Sequence, residues 1–370
     1  MIPKSSVRPL EDFRLHFQIG KGTYGRVFKA TDSVTGELVA LKQILVKTEN
    51  EGFPVTAVRE IKILKQLDHP NVVRLLDVVF DDRASVGSNR STLIKKSRKR
   101  KADDLVGKIS IRALLQDSIA PLTDPAVTAL PIFLALEYCK TDLAAYARSR
   151  RIPVPEIRSI FKSIMKAVAY CHENGVIHRD IKLSNVLLSP LGEVKVADFG
   201  LARNLSNVCH PKLTNRVITR WYRPPELLFG SVFYSTAIDI WSCGCVLAEL
   251  LSGSPLFPGD TEIETLLFII DLFGLPESSD FADCPEFSNV MRSLPIHRLY
   301  GQPGNFDKKF GGLDGFRLVK DMLRMVPSKR LPAVEVLKHA WLCEMGSCGT
   351  SDPTTPVKAA KDARVSVVLR

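Results

Sequence analysis

Residues 178–185 read His178-Arg179-Asp180-Ile181-Lys182-Leu183-Ser184-Asn185, and thirteen residues after that asparagine stands Asp198-Phe199-Gly200. These two short words carry most of the chemistry. Asp180 can accept a proton from a hydroxyl. Asn185 and Asp198 supply hard oxygen donors that can hold Mg²⁺ between them. Lys182 can neutralise a phosphate in flight. Phosphoryl transfer asks a protein mainly for positioning and charge neutralisation, and these residue types provide both.

The pattern continues upstream. Gly20-Lys21-Gly22-Thr23-Tyr24-Gly25-Arg26-Val27 has the spacing of a phosphate-covering glycine loop. The same spacing occurs in dinucleotide-binding folds, where a helix follows. Here Val27-Phe28-Lys29-Ala30 reads as a strand, Thr35-Gly36 as a turn and Leu38-Val39-Ala40-Leu41-Lys42 as a second strand, so a hairpin lies over the phosphates. Lys42 follows Gly25 by seventeen residues and needs a partner to hold it on the α- and β-phosphates. Glu60 is the candidate. Pro54 suits a helix start, and Val55, Val58, Ile61, Leu64 and Leu67 recur at i+3, giving one apolar helix face. Successive helical residues point roughly 100° apart. Glu60 can therefore turn to Lys42 while Arg59 turns elsewhere.

With these motifs in this order, the chain resembles the eukaryotic protein kinases, and within them the cyclin-dependent kinases. Phe53–Glu60 resembles the family's cyclin-contacting helix, and Leu213–Glu226 its activation segment. The resemblance covers roughly residues 10–82 and 131–342. Pro224-Pro225-Glu226, Thr214-Asn215-Arg216-Val217 and the Ile-Lys-x-Ser-Asn of the catalytic loop are most similar to the transcription-regulating branch. The resemblance implies an α+β bilobal fold, with a β-rich small lobe bearing one regulatory helix and a larger helical lobe.

Length and composition fit that expectation. A chain of 370 residues accommodates two lobes with additions. No apolar stretch approaches a membrane span, and Met-Ile-Pro-Lys-Ser-Ser lacks a signal-peptide core, so no membrane association is expected. The eight cysteines are scattered without zinc spacing. A reduced intracellular protein is expected. The organisation expected is an N-terminal extension over 1–12, a small lobe over 13–136, a hinge and large lobe over 137–342, and a loose tail over 343–370.

The net charge of +11 is concentrated. Between Arg83 and Lys108 lie nine Lys/Arg against Asp103 and Asp104, a local +7. This falls in an insert at about 83–130, between two runs that read as adjacent strands, Leu75–Phe80 and Pro131–Leu136. Its Lys95–Lys101 run reads as a nuclear-import signal or nucleic-acid patch, or as a solvated linker. Ile109–Ile119 could form a short helix. The localisation expected is the nucleus, with the cytoplasm also open, and direct nucleic-acid binding is not expected.

In the large lobe, Ile157, Ile160, Phe161, Ile164, Met165 and Val168 mark a helix that Gly175 ends. Ala237–Leu251 is apolar nearly all round, a buried helix with Asp239 as its charged exception. The resemblance implies that Asp239 anchors the catalytic-loop backbone; a helix-cap role is the alternative. It also implies an ion pair between Glu226 and Arg330.

The resemblance further implies an ATP-dependent, Mg²⁺-requiring Ser/Thr kinase directed to sites followed by proline. ATP would meet Ile19, Gly20, Lys21, Gly22, Thr23, Tyr24, Gly25, Arg26, Val27, Ala40 and Leu187, with the hinge backbone at Glu137 and Cys139 against adenine. Lys42 and Glu60 would fix the phosphates, Asn185 and Asp198 the metal, and Asp180 and Lys182 would be catalytic. Val217, Ile218 and Arg223 would form the proline pocket. A phosphate on Thr214 would be gathered by Arg59, Arg179 and Arg203 once a cyclin seats the helix, and Thr23 and Tyr24 would be inhibitory phosphorylation sites. Substrates would be proteins with Ser/Thr-Pro sites, in transcription (RNA polymerase II C-terminal repeats) or cell-cycle control. Three departures bear on detail: Leu136 at the gatekeeper position, Arg220 beside Trp221, and Leu183 in the catalytic loop. A cyclin-independent kinase of the same group and a non-catalytic scaffold are the alternatives. No Thr-x-Tyr pair in the activation segment speaks against the first, and the full residue set speaks against the second.

Overall fold

The stretch from Phe13 to Ile44 folds as three antiparallel strands in the computed structural model, which describes residues 8–22, 25–44, 55–80, 132–205, 213–214, 217–294 and 304–343. β1 (Arg8–Pro9), β2 (Phe13–Gly22), β3 (Gly25–Asp32), β4 (Leu38–Ile44), β5 (Leu75–Phe80) and β6 (Ile132–Glu137) make one sheet in the order β1-β5-β6-β4-β3-β2. Gly25 is required at the start of β3. Its φ is +152°, and a Cβ there would lie 1.8 Å from the carbonyl oxygen of Gln43. Helix α1 (Val55–Gln66) follows β4 and buries Ile61 and Leu64 of the sequence period, together with Ala57 and Ile63 outside it.

β5 and β6 pair antiparallel, so they are neighbours although a long insert separates them in sequence. That insert, with its basic run, the 109–119 stretch and residues 344–370, lies outside the described residues. The described part of the expected N-terminal extension, from Arg8, packs on the small-lobe sheet. β1 pairs parallel with β5, Leu10 is buried, and Arg8 grips the Asp32 carboxylate with two bonds of 2.6 and 2.9 Å. The Arg8 hydrogen bonds, against opposing burial, lower the Asp32 pKa to about 2.

Beyond the hinge, β7 (Thr141–Asp142) leads into α2 (Leu143–Ser149), where the Asp142 carboxylate caps the Ala145 N–H at 2.8 Å. α3 (Val154–Glu173) starts after Pro153 and ends at Gly175, whose φ is +69°. β8 (Val176–Ile177), β9 (Val186–Leu188), β10 (Val194–Val196) and β11 (Arg203–Asn204) form two small antiparallel ladders beneath the cleft. α4 (Pro225–Leu228) precedes α5 (Ala237–Ser252), which is buried almost all round and forms the centre of the large lobe. α6 (Glu262–Phe273) carries a complete capping box between Thr261 and Glu264. The last described helix, Ala340–Cys343, takes in the first residue of the expected tail.

Glu226 and Arg330 meet as expected, in a fork of two 2.7 Å bonds with both side chains buried. Arg330 also donates to the Arg324, Met325 and Ala237 carbonyls, so its remaining donors are satisfied.

Candidate active site

Strand β4, helix α1 and the segment after β10 bring the first group of polar residues together. On β4, Lys42 donates to Glu60 Oε1 of α1 at 2.7 Å and to Asp198 Oδ1 at 2.9 Å. Burial alone would lower the Lys42 pKa, but the two carboxylates overcome it and hold the ammonium charged. Burial pushes the Glu60 carboxyl up, with Lys42 opposing. Asp198 stays below the usual carboxylate range because Lys42 outweighs its burial. Helix α1 is therefore seated inward, as the sequence expected of Glu60.

The β3–β4 register places Val27 opposite Lys42, and the β4–β6 register places Ala40 opposite Leu136. Val27, Ala40 and Lys42 thus share one sheet face, with Ile19 exposed on β2 near its edge and Leu187 half-buried on β9. Glu137 ends β6. Its carboxylate accepts the Arg74 N–H at 2.8 Å and pairs with Lys195 at 3.1 Å, so the first hinge residue is held from both lobes. Burial and the neighbouring Glu137 push the Cys139 thiol up to about 12, so it stays protonated at neutral pH. Lys21 and Gly22 close β2, and Arg26 is exposed on β3. Thr23 and Tyr24 lie outside the described residues.

The catalytic loop is held by its backbone. The buried Asp239 carboxylate accepts the N–H groups of His178 and Arg179, each at 2.9 Å, and lies 2.9 Å from His172 Nε2. The anchoring role expected of Asp239 is what the structure contains. Asp180 lies next in the chain. Lys182 Nζ bonds its Oδ2 at 2.7 Å, and Asn185 Nδ2 bonds the same oxygen at 2.9 Å. With its amide nitrogen so engaged, Asn185 has its side-chain oxygen left as an acceptor. Asp198 likewise uses only Oδ1 on Lys42. One amide oxygen and one carboxylate oxygen fit Mg²⁺, which takes few protein ligands and completes its shell with phosphates and water. Among the described residues no group of three or more His, Cys, Asp or Glu is placed to hold a metal.

Thr219 went unassigned in the sequence. Its hydroxyl lies 3.1 Å from Asp180 Oδ1 and 3.0 Å from Lys182 Nζ, tying the activation segment to the catalytic pair. A threonine in a loop carries no pattern that separates this role from an exposed hydroxyl. Nor did sequence mark Lys195 and Tyr234, whose partners lie far along the chain.

Further along, Arg223 donates to the Val217 carbonyl at 2.9 Å and to the Ile218 carbonyl at 2.9 and 3.3 Å, and it pairs with Glu262. Ile218 is β-branched yet has φ +67°. Arg179 and Asp198 share this left-handed backbone at +67° and +64°. Such strain at three residues is held only where surrounding bonds fix it. Of the three arginines expected around Thr214, Arg179 is buried and bonds the Tyr234 hydroxyl at 2.7 Å, and Arg203 lies near enough to influence that phenol. Arg59 is half-buried on α1, and the described geometry does not join it to the other two.

The chain matches the protein kinase domain over residues 13–342. It belongs to the protein kinase family. Similar proteins include Cyclin-dependent kinase C-1 of Oryza sativa subsp. japonica, 39% identical over 90% of this chain and 59% of that protein. Cyclin-dependent kinase 12 of Caenorhabditis elegans is 38% identical over 88% of this chain and 40% of its own length. CTD kinase subunit alpha of Schizosaccharomyces pombe is 40% identical over 88% and 47%. The chain thus spans well under two thirds of these relatives. The kinase domain supplies the bilobal fold expected from sequence, and the family generally uses ATP and Mg²⁺. No helix among the described residues is long and apolar enough to cross a membrane.

Proposed function

We propose that this chain is a proline-directed Ser/Thr kinase of cyclin-dependent type. The observation that carries the reading is Ile218. Its left-handed backbone turns its carbonyl to Arg223, which consumes the acceptor with two bonds. A residue after the phosphorylated Ser/Thr that brought an N–H here would leave that donor unpaired, at about 1–3 kcal/mol. Proline brings none.

The reaction is derived from the remaining residues. Ile19, Val27, Ala40 and Leu187 give adenine an apolar slot, with the backbone of Glu137 and Cys139 at its edge. Lys42, fixed by Glu60, meets the α- and β-phosphates. Asn185 and Asp198 would hold Mg²⁺, which supplies charge neutralisation at the transferring phosphate. Asp180 orients the substrate hydroxyl and takes its proton as the oxygen attacks the γ-phosphorus and the bond to the β,γ-bridging oxygen breaks, releasing ADP. Lys182 balances the charge that develops, and Thr219 keeps Asp180 and Lys182 in register.

A cyclin would hold α1 in the inward position that the Lys42–Glu60 pair marks, and a phosphate on Thr214 would draw in Arg59, Arg179 and Arg203. Thr23 and Tyr24 are proposed inhibitory sites, because phosphate there repels nucleotide. The nuclear location rests on the basic Lys95–Lys101 run, and the role in transcription on the Thr-Asn-Arg-Val and Pro-Pro-Glu words and on likeness to a protein named CTD kinase subunit alpha. The direct test compares a Ser-Pro peptide with its Ser-Ala counterpart, using the full chain and its co-purified partner. The expected preference in kcat/KM for proline is tenfold or more; equal rates contradict the reading.

A further inference from the structure

Beyond the arginines, one side chain already connects the catalytic loop to the segment bearing Thr214. The Tyr234 hydroxyl accepts from Arg179 Nη1 at 2.7 Å and donates to the Thr214 backbone carbonyl at 2.7 Å. On the near side of Thr214, the Leu213 N–H donates to the Val232 carbonyl at 2.8 Å. Two bonds to the 232–234 loop thus hold the backbone at Leu213 and Thr214 while the Thr214 side chain remains exposed.

Arg179 is a stiff end for this link. It is fully buried, its N–H is fixed by Asp239, and its Nε donates to the Leu201 carbonyl at 2.7 Å. Two of its five N–H donors are thereby used, on Leu201 and Tyr234. The others are those a phosphate would take. Tyr234 suits the bridging role because a neutral phenol both donates and accepts, and burial keeps it neutral, raising its pKa against the opposing Arg179. A phenylalanine would fill the same space and do neither.

We infer that Tyr234 is a positioning residue that docks the activation segment on Arg179 without phosphate, so that phosphorylation of Thr214 reinforces a tether already made. The inference rests on Thr214 being the activating phosphosite. Without the tether, the unphosphorylated segment would have to be ordered wholly by the phosphate. With it, the energetic step on phosphorylation is smaller and some activity precedes it. The hydroxyl bonds a charged donor on one side, the stronger class of hydrogen bond.

The test measures amide exchange at Leu213 in the full chain, once dephosphorylated and once with phosphothreonine installed at 214 during translation. Tyr234→Phe is expected to speed Leu213 exchange about tenfold in the dephosphorylated chain and less than about threefold in the phosphorylated one. A parallel melting curve reports folding. Equal acceleration in both forms, or none in either, overturns the inference. If the variant does not fold, the wild-type chain decides alone: Leu213 must be protected when dephosphorylated, and exchange at the free-peptide rate overturns the tether. Wild-type chains that phosphorylate peptide equally with and without the Thr214 phosphate would overturn the activation reading instead, leaving the exchange result to stand by itself.

Discussion

At the residue scale, the roles proposed for Asp180 and Asp198 differ as their surroundings do. Asp180 bonds Lys182, Asn185 and Thr219 of the catalytic loop and activation segment. Asp198 bonds Lys42, the residue proposed to meet the phosphates. Asp180→Asn is expected to lower phosphotransfer by ~10²–10⁴ while nucleotide affinity stays within about twofold. Asp198→Asn is expected to weaken Mg²⁺-dependent nucleotide binding itself. Titration with a fluorescent ATP analogue, with and without Mg²⁺, separates them, and equal affinity losses would refute the division. These aspartates were legible because fixed spacing around them is a chemical requirement of the reaction. Thr219 and Tyr234 were not legible. Their roles depend on a hydroxyl meeting a partner 39 or 55 residues away, and folding alone creates that proximity.

At the element scale, helices and strands with strong apolar periodicity stood out in sequence. Val55–Leu67 gave α1, the Ile157–Val168 face gave α3 with its end set by Gly175, and Ala237–Leu251 gave α5. The two-residue strand Arg8–Pro9 has no periodicity to read. It exists because β5 offers an open edge and Asp32 offers a carboxylate. Its contribution has a definite pH window. The Asp32 pKa is lowered in the folded chain to about 2, so the pair stabilises fully above the ordinary carboxylate value near 4. That stability is lost as pH falls from about 4 towards 2. Acid unfolding of wild type and Asp32→Asn should diverge above pH 4 and converge below pH 2; a constant difference across the range would contradict this. Arg330→Met should cost about 3–5 kcal/mol, because Glu226 would remain buried without its partner. Chemical denaturation measures it, and a loss under 1 kcal/mol would show that the site relaxes.

At the scale of the whole molecule, four segments distant in sequence converge on one cleft. β4 brings Lys42, α1 brings Glu60, the loop after β8 brings Asp180 and Asn185, and the segment after β10 brings Asp198. Glu60 couples α1 to the cleft, so the proposed cyclin would act through that helix. The basic insert joins β5 to β6, whose pairing is complete without it. Deleting 88–104 is accordingly expected to leave peptide kinetics unchanged and to move a fluorescent fusion out of the nucleus. Unchanged nuclear accumulation would assign the run to a solvated linker. The central claim is that this constellation transfers phosphate and is switched through Thr214. Its most direct measurement is the initial rate on a Ser-Pro peptide with Mg-ATP, for wild type and Thr214→Ala, each purified alone and with the partner it co-purifies with. The account predicts high rates only for wild type with partner and phosphate on Thr214, and at least a tenfold loss in Thr214→Ala. Full activity of Thr214→Ala, or of the lone wild-type chain, would contradict it.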